Sequence, residues 1–126
     1  KRIEKRADII ILNGHGIAHP ENMGLATHIG IVFDIPTIGC SRKILYGNYI
    51  EPPFIQLSST FIKDEEGKII GHVLRNYNKG LLFISPGNKI DLKECLTVII
   101  NTLKKEYALP YPLYLAHSFS NQDFFY

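Results

Sequence analysis

An apolar run that stops on glycines sets the architecture of this chain. Ala7 to Leu12 is continuous and β-branched, broken only by Asp8, and it ends in Asn13-Gly14-His15-Gly16. Such a run reads as a strand entering a glycine loop. A strand apolar on both faces belongs in the middle of a sheet that helices cover on both sides, which implies an α/β fold. The loop then lies at the carboxyl end of the strand, where open α/β sheets put their ligands.

The rest of the chain fits that plan. Met23 to Phe33 carries Leu25, Ala26, Ile29, Val32 and Phe33 at helical spacing, with Pro20 shortly before it as a start. A second strand is expected at Thr37 to Cys40, followed by a long surface excursion from Arg42 to Ser59 marked by Gly47, Pro52 and Pro53. Phe61 to Arg75 reads as a hairpin turning at Asp64-Glu65-Glu66-Gly67, a solvated acidic tip. Leu81 to Ser85 is a further strand, closed by Pro86-Gly87. Asp91 then caps a helix with Glu94 three residues on, and Leu92, Cys95, Leu96, Ile99, Ile100 and Leu103 form its stripe. A short helical segment is expected at Leu113 to Ser120, after the breaker at Pro110 and Pro112.

A chain of 126 residues reads as one domain, 1–126. Its first residue, Lys1, is not Met, so the domain is expected to be processed or incomplete at its amino-terminal end. At 45% hydrophobic and 21% charged, the composition is that of a globular protein and excludes disordered and fibrous classes. No apolar run approaches the roughly 18 residues of a membrane span. A cytoplasmic, intracellular protein without a membrane partner is therefore expected. A net charge of +2 gives no electrostatic argument for nucleic acid, which must rest on particular residues instead.

Those residues concentrate around the glycine loop. Asn13 stands at the strand end, and Gly14 and Gly16 let backbone approach a ligand closely and offer it amides. His15 and His19 lie four apart, but Gly16 between them places them in a loop, not on the helix that a zinc pair needs. The lone GxG lacks the glycine and lysine of nucleotide-binding loops. Arg42 and Lys43, just past the second strand, suit phosphate contacts or simply a solvated basic pair. Cys40 and Cys95 read as buried hydrophobes, neither a disulfide nor an activated nucleophile. His28 reads as a core histidine, and His72 carries no signal.

The run from Asn13 to Pro20, followed by Gly24-Leu25-Ala26-Thr27-His28-Ile29-Gly30, resembles the signature of the endonuclease V family. The similarity continues through Ile35 to Cys40, Ser85-Pro86-Gly87 and Leu115-Ala116-His117, in the family's order, and covers its carboxyl-terminal two thirds. This resemblance implies an RNase H-like mixed sheet flanked by helices, without the family's upstream strands. It also implies magnesium-dependent hydrolysis of the second phosphodiester bond 3′ to inosine, in DNA or in RNA.

Residue by residue, His117 matches the family's active-site histidine, and Arg42 takes the place of a phosphate-contacting lysine. Gly14 and Gly16 match the loop that lines the pocket for a flipped hypoxanthine, with His19 beside it and Leu45 nearby. Asn13 stands where the family has a metal-binding aspartate, so an oxygen ligand remains but the charge that holds a hard cation is lost. The family's other acids, and its hydrophobic wedge, lie upstream of the matching region. The chain alone is thus expected to bind inosine-containing nucleic acid and not to cut it. Alternatives are an enzyme completed by an upstream segment, and a catalytically inactive paralogue kept for protein interaction through an exposed strand edge, as a dimer or with a complementing strand.

Overall fold

The fold is known from a computed structural model that describes residues 9–104. Along the chain come β1 (Ile10–Asn13), α1 (Leu25–Phe33), β2 (Thr37–Ser41), β3 (Ser59–Lys63), β4 (Ile69–Arg75), β5 (Leu81–Asn88) and α2 (Leu92–Thr102). The strands make one sheet in the order β1, β2, β5, β4, β3. β1 and β2 are parallel, joined through α1, and the other pairs are antiparallel.

Alternation along the strands divides the core in two. Ile38 and Cys40 of β2, Leu82 and Ile84 of β5 and Leu74 of β4 pack with Cys95, Ile99 and Leu103 under α2. Phe83 and Val73 point to the other face, where they pack with Ala18 of the glycine loop. Helix α1 lies on that second face, against Thr37 and Gly87. The sheet thus has a helix on each side, as the apolar strands require.

Helix α2 follows its sequence closely. The Asp91 carboxylate accepts a hydrogen bond from the Glu94 amide at 2.7 Å, which satisfies one of the orphan donors of the first turn. Cys95 and Ile99 are buried, with Leu96 and Ile100 packed at the margin of the same cluster.

Helix α1 departs from its periodicity. Its buried residues are Ala26, Thr27 and Gly30, whereas Leu25, Ile31, Val32 and Phe33 are 53–60% exposed. The reason is backbone proximity. The Thr37 hydroxyl donates to the Ala26 carbonyl at 2.6 Å, and the Asn88 amide donates to the carbonyls of Gly30 and Ile35 at 2.9 and 3.1 Å. A Cβ on Gly30 would stand 2.4 Å from the Asn88 Cβ, so only a small-residue face fits this close to the sheet. His28, expected in the core, is exposed on this helix.

Two strands also differ from expectation. Among the described residues β1 pairs only with β2, so it is an edge strand and not a central one. Its residues Ile10, Ile11 and Leu12 are accordingly half-buried. Pro86 and Gly87 do not end β5 but lie within it, at an irregularity where Thr37 pairs with Asn88 and Ile38 with Pro86. A bulge tolerates a residue that has no N–H to give to the ladder.

Candidate functional site

Strand register places Asn13 and the basic pair Arg42 and Lys43 at one end of the sheet. Asn13 pairs with Cys40, Ser41 with Phe83, Leu81 with Arg75 and Leu74 with Ser59. The carboxyl ends of β1, β2 and β4 therefore lie together. Asn13 is exposed there, Gly14 follows it, and Arg42 and Lys43, both exposed, leave β2 beside it. The acidic tip at Asp64–Gly67 joins the far ends of β3 and β4 and stands beside the loop that carries His19, lining one cavity with Pro20, Asn22 and Tyr46; the Asp64 carboxylate closes the turn by accepting from the Glu66 and Lys68 amides.

The glycine loop is fastened to the sheet by its backbone. The Gly14 amide donates to the Cys40 carbonyl at 3.1 Å, Gly16 to the Ser85 hydroxyl at 2.7 Å and Ile17 to the Pro86 carbonyl at 2.9 Å. The His15 carbonyl accepts from Ala26 at 2.9 Å, which ties the loop to α1. These amides serve the fold and are not offered to a ligand, contrary to the sequence reading. Gly16 is required because a Cβ there would meet the Pro86 carbonyl oxygen at 2.0 Å, and Gly39 because its Cβ would meet the Gly16 nitrogen at 2.6 Å. Gly14 is different. A Cβ there meets nothing nearer than Leu25, at an ordinary 3.6 Å, so its small size is not demanded by packing.

His15 and His19 both belong to this loop. The His19 ring nitrogen Nδ1 accepts from the Glu21 amide at 3.0 Å. Burial, and then the neighbouring His19, hold the His15 imidazole below its ordinary range. Ile44 and Tyr46 pack on the same cluster as Ile17 and Ala18, so the segment after β2 runs alongside the loop and presents Leu45, 53% exposed, between them. The structure thus brings Asn13, Gly14, Gly16, His19, Arg42 and Leu45 to neighbouring segments. His117, the segment Leu113 to Ser120 and the start of the first strand lie outside the described residues.

Asn13 is a neutral ligand at best, and among the described residues no three His, Cys, Asp or Glu side chains are grouped to hold a metal ion. The described residues therefore do not fit a magnesium site, which wants several oxygen ligands with negative charge. Cys40 and Cys95 are free and buried, and burial pushes each thiol up to about 12, with Cys95 beside Cys40 adding to its rise. Neither is a nucleophile.

Three contributors escape the sequence reading. Ser85 lies in one of the blocks that carry the family resemblance, but its role, anchoring Gly16 from 69 residues away, has no local signal. His72 is 5% exposed, and its Nε2–H donates to the Leu92 carbonyl at 2.7 Å, joining β4 to α2. Arg75, also 5% exposed, donates to the carbonyls of Pro52, Pro53 and Lys79 at 2.7, 3.4 and 3.0 Å and pairs with Glu51 at 3.3 Å. An arginine closing an apolar strand just before Asn76 and Gly80 is the available sign of such a hub.

The family model for endonuclease V matches residues 1–118 of the chain. The chain belongs to the endonuclease V family. It is 45% identical over 121 residues to the endonuclease V of Thermosipho melanesiensis, covering 95% of this chain and 53% of that protein. To the endonuclease V of Dictyoglomus thermophilum it is 40% identical over 123 residues, covering 97% and 53%. The chain spans about half the length of the curated relatives it matches. Among solved structures, endonuclease V from Streptomyces avermitilis superposes with a TM-score of 0.82 at 26% identity, covering 91% of this chain and 50% of that one. Endonuclease V of Ciona intestinalis, solved with a 24mer DNA containing an inosine followed by a ribo-adenosine, shares the fold at a TM-score of 0.74 and 18% identity, over 92% of this chain and 54% of its own. The mixed sheet with a helix on each face is the RNase H-like fold of the endonuclease V structures. No helix among the described residues is long and apolar enough to cross a membrane.

Proposed function

We propose that this endonuclease V chain binds an inosine-containing DNA or RNA strand across the shared carboxyl ends of β1 and β2. The observation that carries the reading is the juxtaposition of Asn13, Gly14 and the exposed Arg42 and Lys43 at that sheet end, in a member of this family. Arg42 grips a phosphate, and the space beside Gly14, next to Leu25, receives the extruded base, with His19 and Leu45 on the segments that follow β1 and β2. The family's hydrolysis of the second phosphodiester bond 3′ to inosine draws on magnesium, and the carboxylates to hold that ion lie outside the described residues. Asn13 supplies none of the charge required. On this reading the described residues bind the strand, and His117 has a role only where such carboxylates complete the site.

Binding to a single-stranded inosine oligonucleotide, followed by fluorescence anisotropy across a salt series, tests the reading. Each phosphate neutralised on a single strand contributes about 0.7 to the salt slope, so Arg42→Ala lowers the slope by about that amount and weakens inosine and adenosine strands alike. Gly14→Leu instead erodes the preference for inosine and leaves the slope unchanged. Equal slopes for wild type and Arg42→Ala overturn the proposal. A second reading, a silent domain that docks a protein segment, draws on the exposed face of α1 and on the side of β1 that no strand among the described residues covers.

A further inference from the structure

The same end of the sheet carries an exposed aromatic on a rigid mount. Phe54 is 66% exposed in the excursion before β3, next to Ile55 at 64%. That segment is pinned from below by the buried Arg75, through the Pro52 and Pro53 carbonyls and Glu51. It is pinned from the side by reciprocal backbone hydrogen bonds, Leu57 to Arg75 at 2.7 Å and Arg75 to Ser58 at 2.8 Å. The Ser58 hydroxyl closes the turn on the Pro53 carbonyl at 2.6 Å. Two cations face the ring: the Arg75 guanidinium at 5.1 Å from its centroid and the Lys79 ammonium at 4.9 Å. Arg75 is partly neutralised by Glu51, whereas Lys79 is exposed on the turn after β4.

Register puts this turn at the sheet end that Arg42 and Lys43 occupy. A large exposed aromatic normally costs solubility, and burying it on its own protein is the usual solution. Here a buried arginine and several backbone bonds fix the segment that carries the ring, and the ring stays 66% exposed. An aromatic ring that carries an exposed ammonium over its face, at the sheet end where further cations lie, has the chemistry that binds a nucleic-acid strand: a base takes the ring face in place of the Lys79 ammonium, which moves to the phosphate.

We infer that Phe54 and Lys79 form a second contact for the bound strand, a stacking platform with its own phosphate ligand, separate from the pocket beside Gly14. The inference rests on the nucleic-acid reading above and adds to it a sequence-tolerant grip on a neighbouring nucleotide.

The chain contains no tryptophan, so Phe54→Trp gives a single reporter at the proposed contact. Titration with the single-stranded inosine oligonucleotide quenches the emission of this variant saturably, with the same midpoint as anisotropy. Phe54→Leu, which keeps apolar bulk but removes the π-face, weakens binding about 5- to 150-fold, and Phe54→Trp restores it. Lys79→Ala lowers the salt slope by about 0.7. Unchanged urea midpoints for these variants separate binding loss from unfolding. Oligonucleotide binding that depends on Arg42 but leaves the indole emission of Phe54→Trp and the affinity of Phe54→Leu unchanged overturns this inference and spares the function proposed above. No binding by the wild-type chain at low salt overturns both. An emission shift that follows protein concentration and ignores the strand also overturns it, since the ring then meets another protein.

Discussion

Two glycines two positions apart in one motif do different work. Gly16 is fixed by a backbone oxygen: its missing Cβ would lie 2.0 Å from the Pro86 carbonyl, so Gly16→Ala forces loop and strand apart. The expected cost is about 2–3 kcal/mol, in the upper range for inserting a methyl group into closed packing. Gly14→Ala meets only Leu25 at 3.6 Å and is expected to change stability by less than about 0.5 kcal/mol. Urea denaturation of the two variants checks this pair of outcomes, and a neutral Gly16→Ala contradicts it. The contrast explains how far the site can be read from sequence. Glycine density marks the loop, and the strand that precedes it gives its place at the carboxyl end. Which glycine is held by packing and which is not depends on Pro86 and on Ser85, the latter 69 residues away in the chain, and nothing local encodes that.

Between elements, the seam of β4 and α2 holds a titratable group. His72 packs against Phe61 with ring centroids 5.6 Å apart and bonds to the Leu92 carbonyl, and burial lowers its affinity for a proton below the ordinary value of 6.5, only partly offset by that bond. The unfolded chain then binds a proton at a pH where the folded one does not. Stability from this group is complete above pH 6.5 and falls as the pH drops below it. His15, lowered in the same direction, adds to the loss. Urea midpoints are expected to decline from pH 7.5 towards pH 5, and His72→Gln is expected to flatten that decline while lowering the midpoint at pH 7.5; a midpoint independent of pH would contradict the assignment. At this scale the sequence is most legible where one element answers only to itself. The Asp91 cap and the apolar stripe of α2 depend on local spacing, and both are found. Helix α1 and β5 depart from their patterns where neighbours decide: α1 turns its small residues to a sheet that approaches its backbone, and Pro86 stays in a strand because β2 shifts register beside it.

The molecule as a whole leaves one long side uncovered among its described residues. β1 has β2 on one flank only, and α1 exposes Leu25, Ile31, Val32 and Phe33. Open strand flanks and large apolar faces both recruit partners. The chain is therefore expected to sediment as a dimer, or to take up an added segment that pairs with β1. Ile11→Pro, which blocks an edge strand's hydrogen bonds, is expected to abolish that association. A monomer at all concentrations up to about 0.5 mM in sedimentation velocity would remove the expectation; that range lies well above the Kd of ordinary specific complexes. One last consequence follows from the bond between Gly16 and Ser85, which joins residues 69 positions apart. On a ribosome adding about 5–20 residues each second, Ser85 is made roughly 3–14 s after Gly16. During that interval the signature loop has no floor, since Pro86 and Ser85 are its floor. The glycine loop is thus translated early and takes its shape late, so a truncation or pause before β5 yields a nascent chain that carries the loop's sequence without its fastenings.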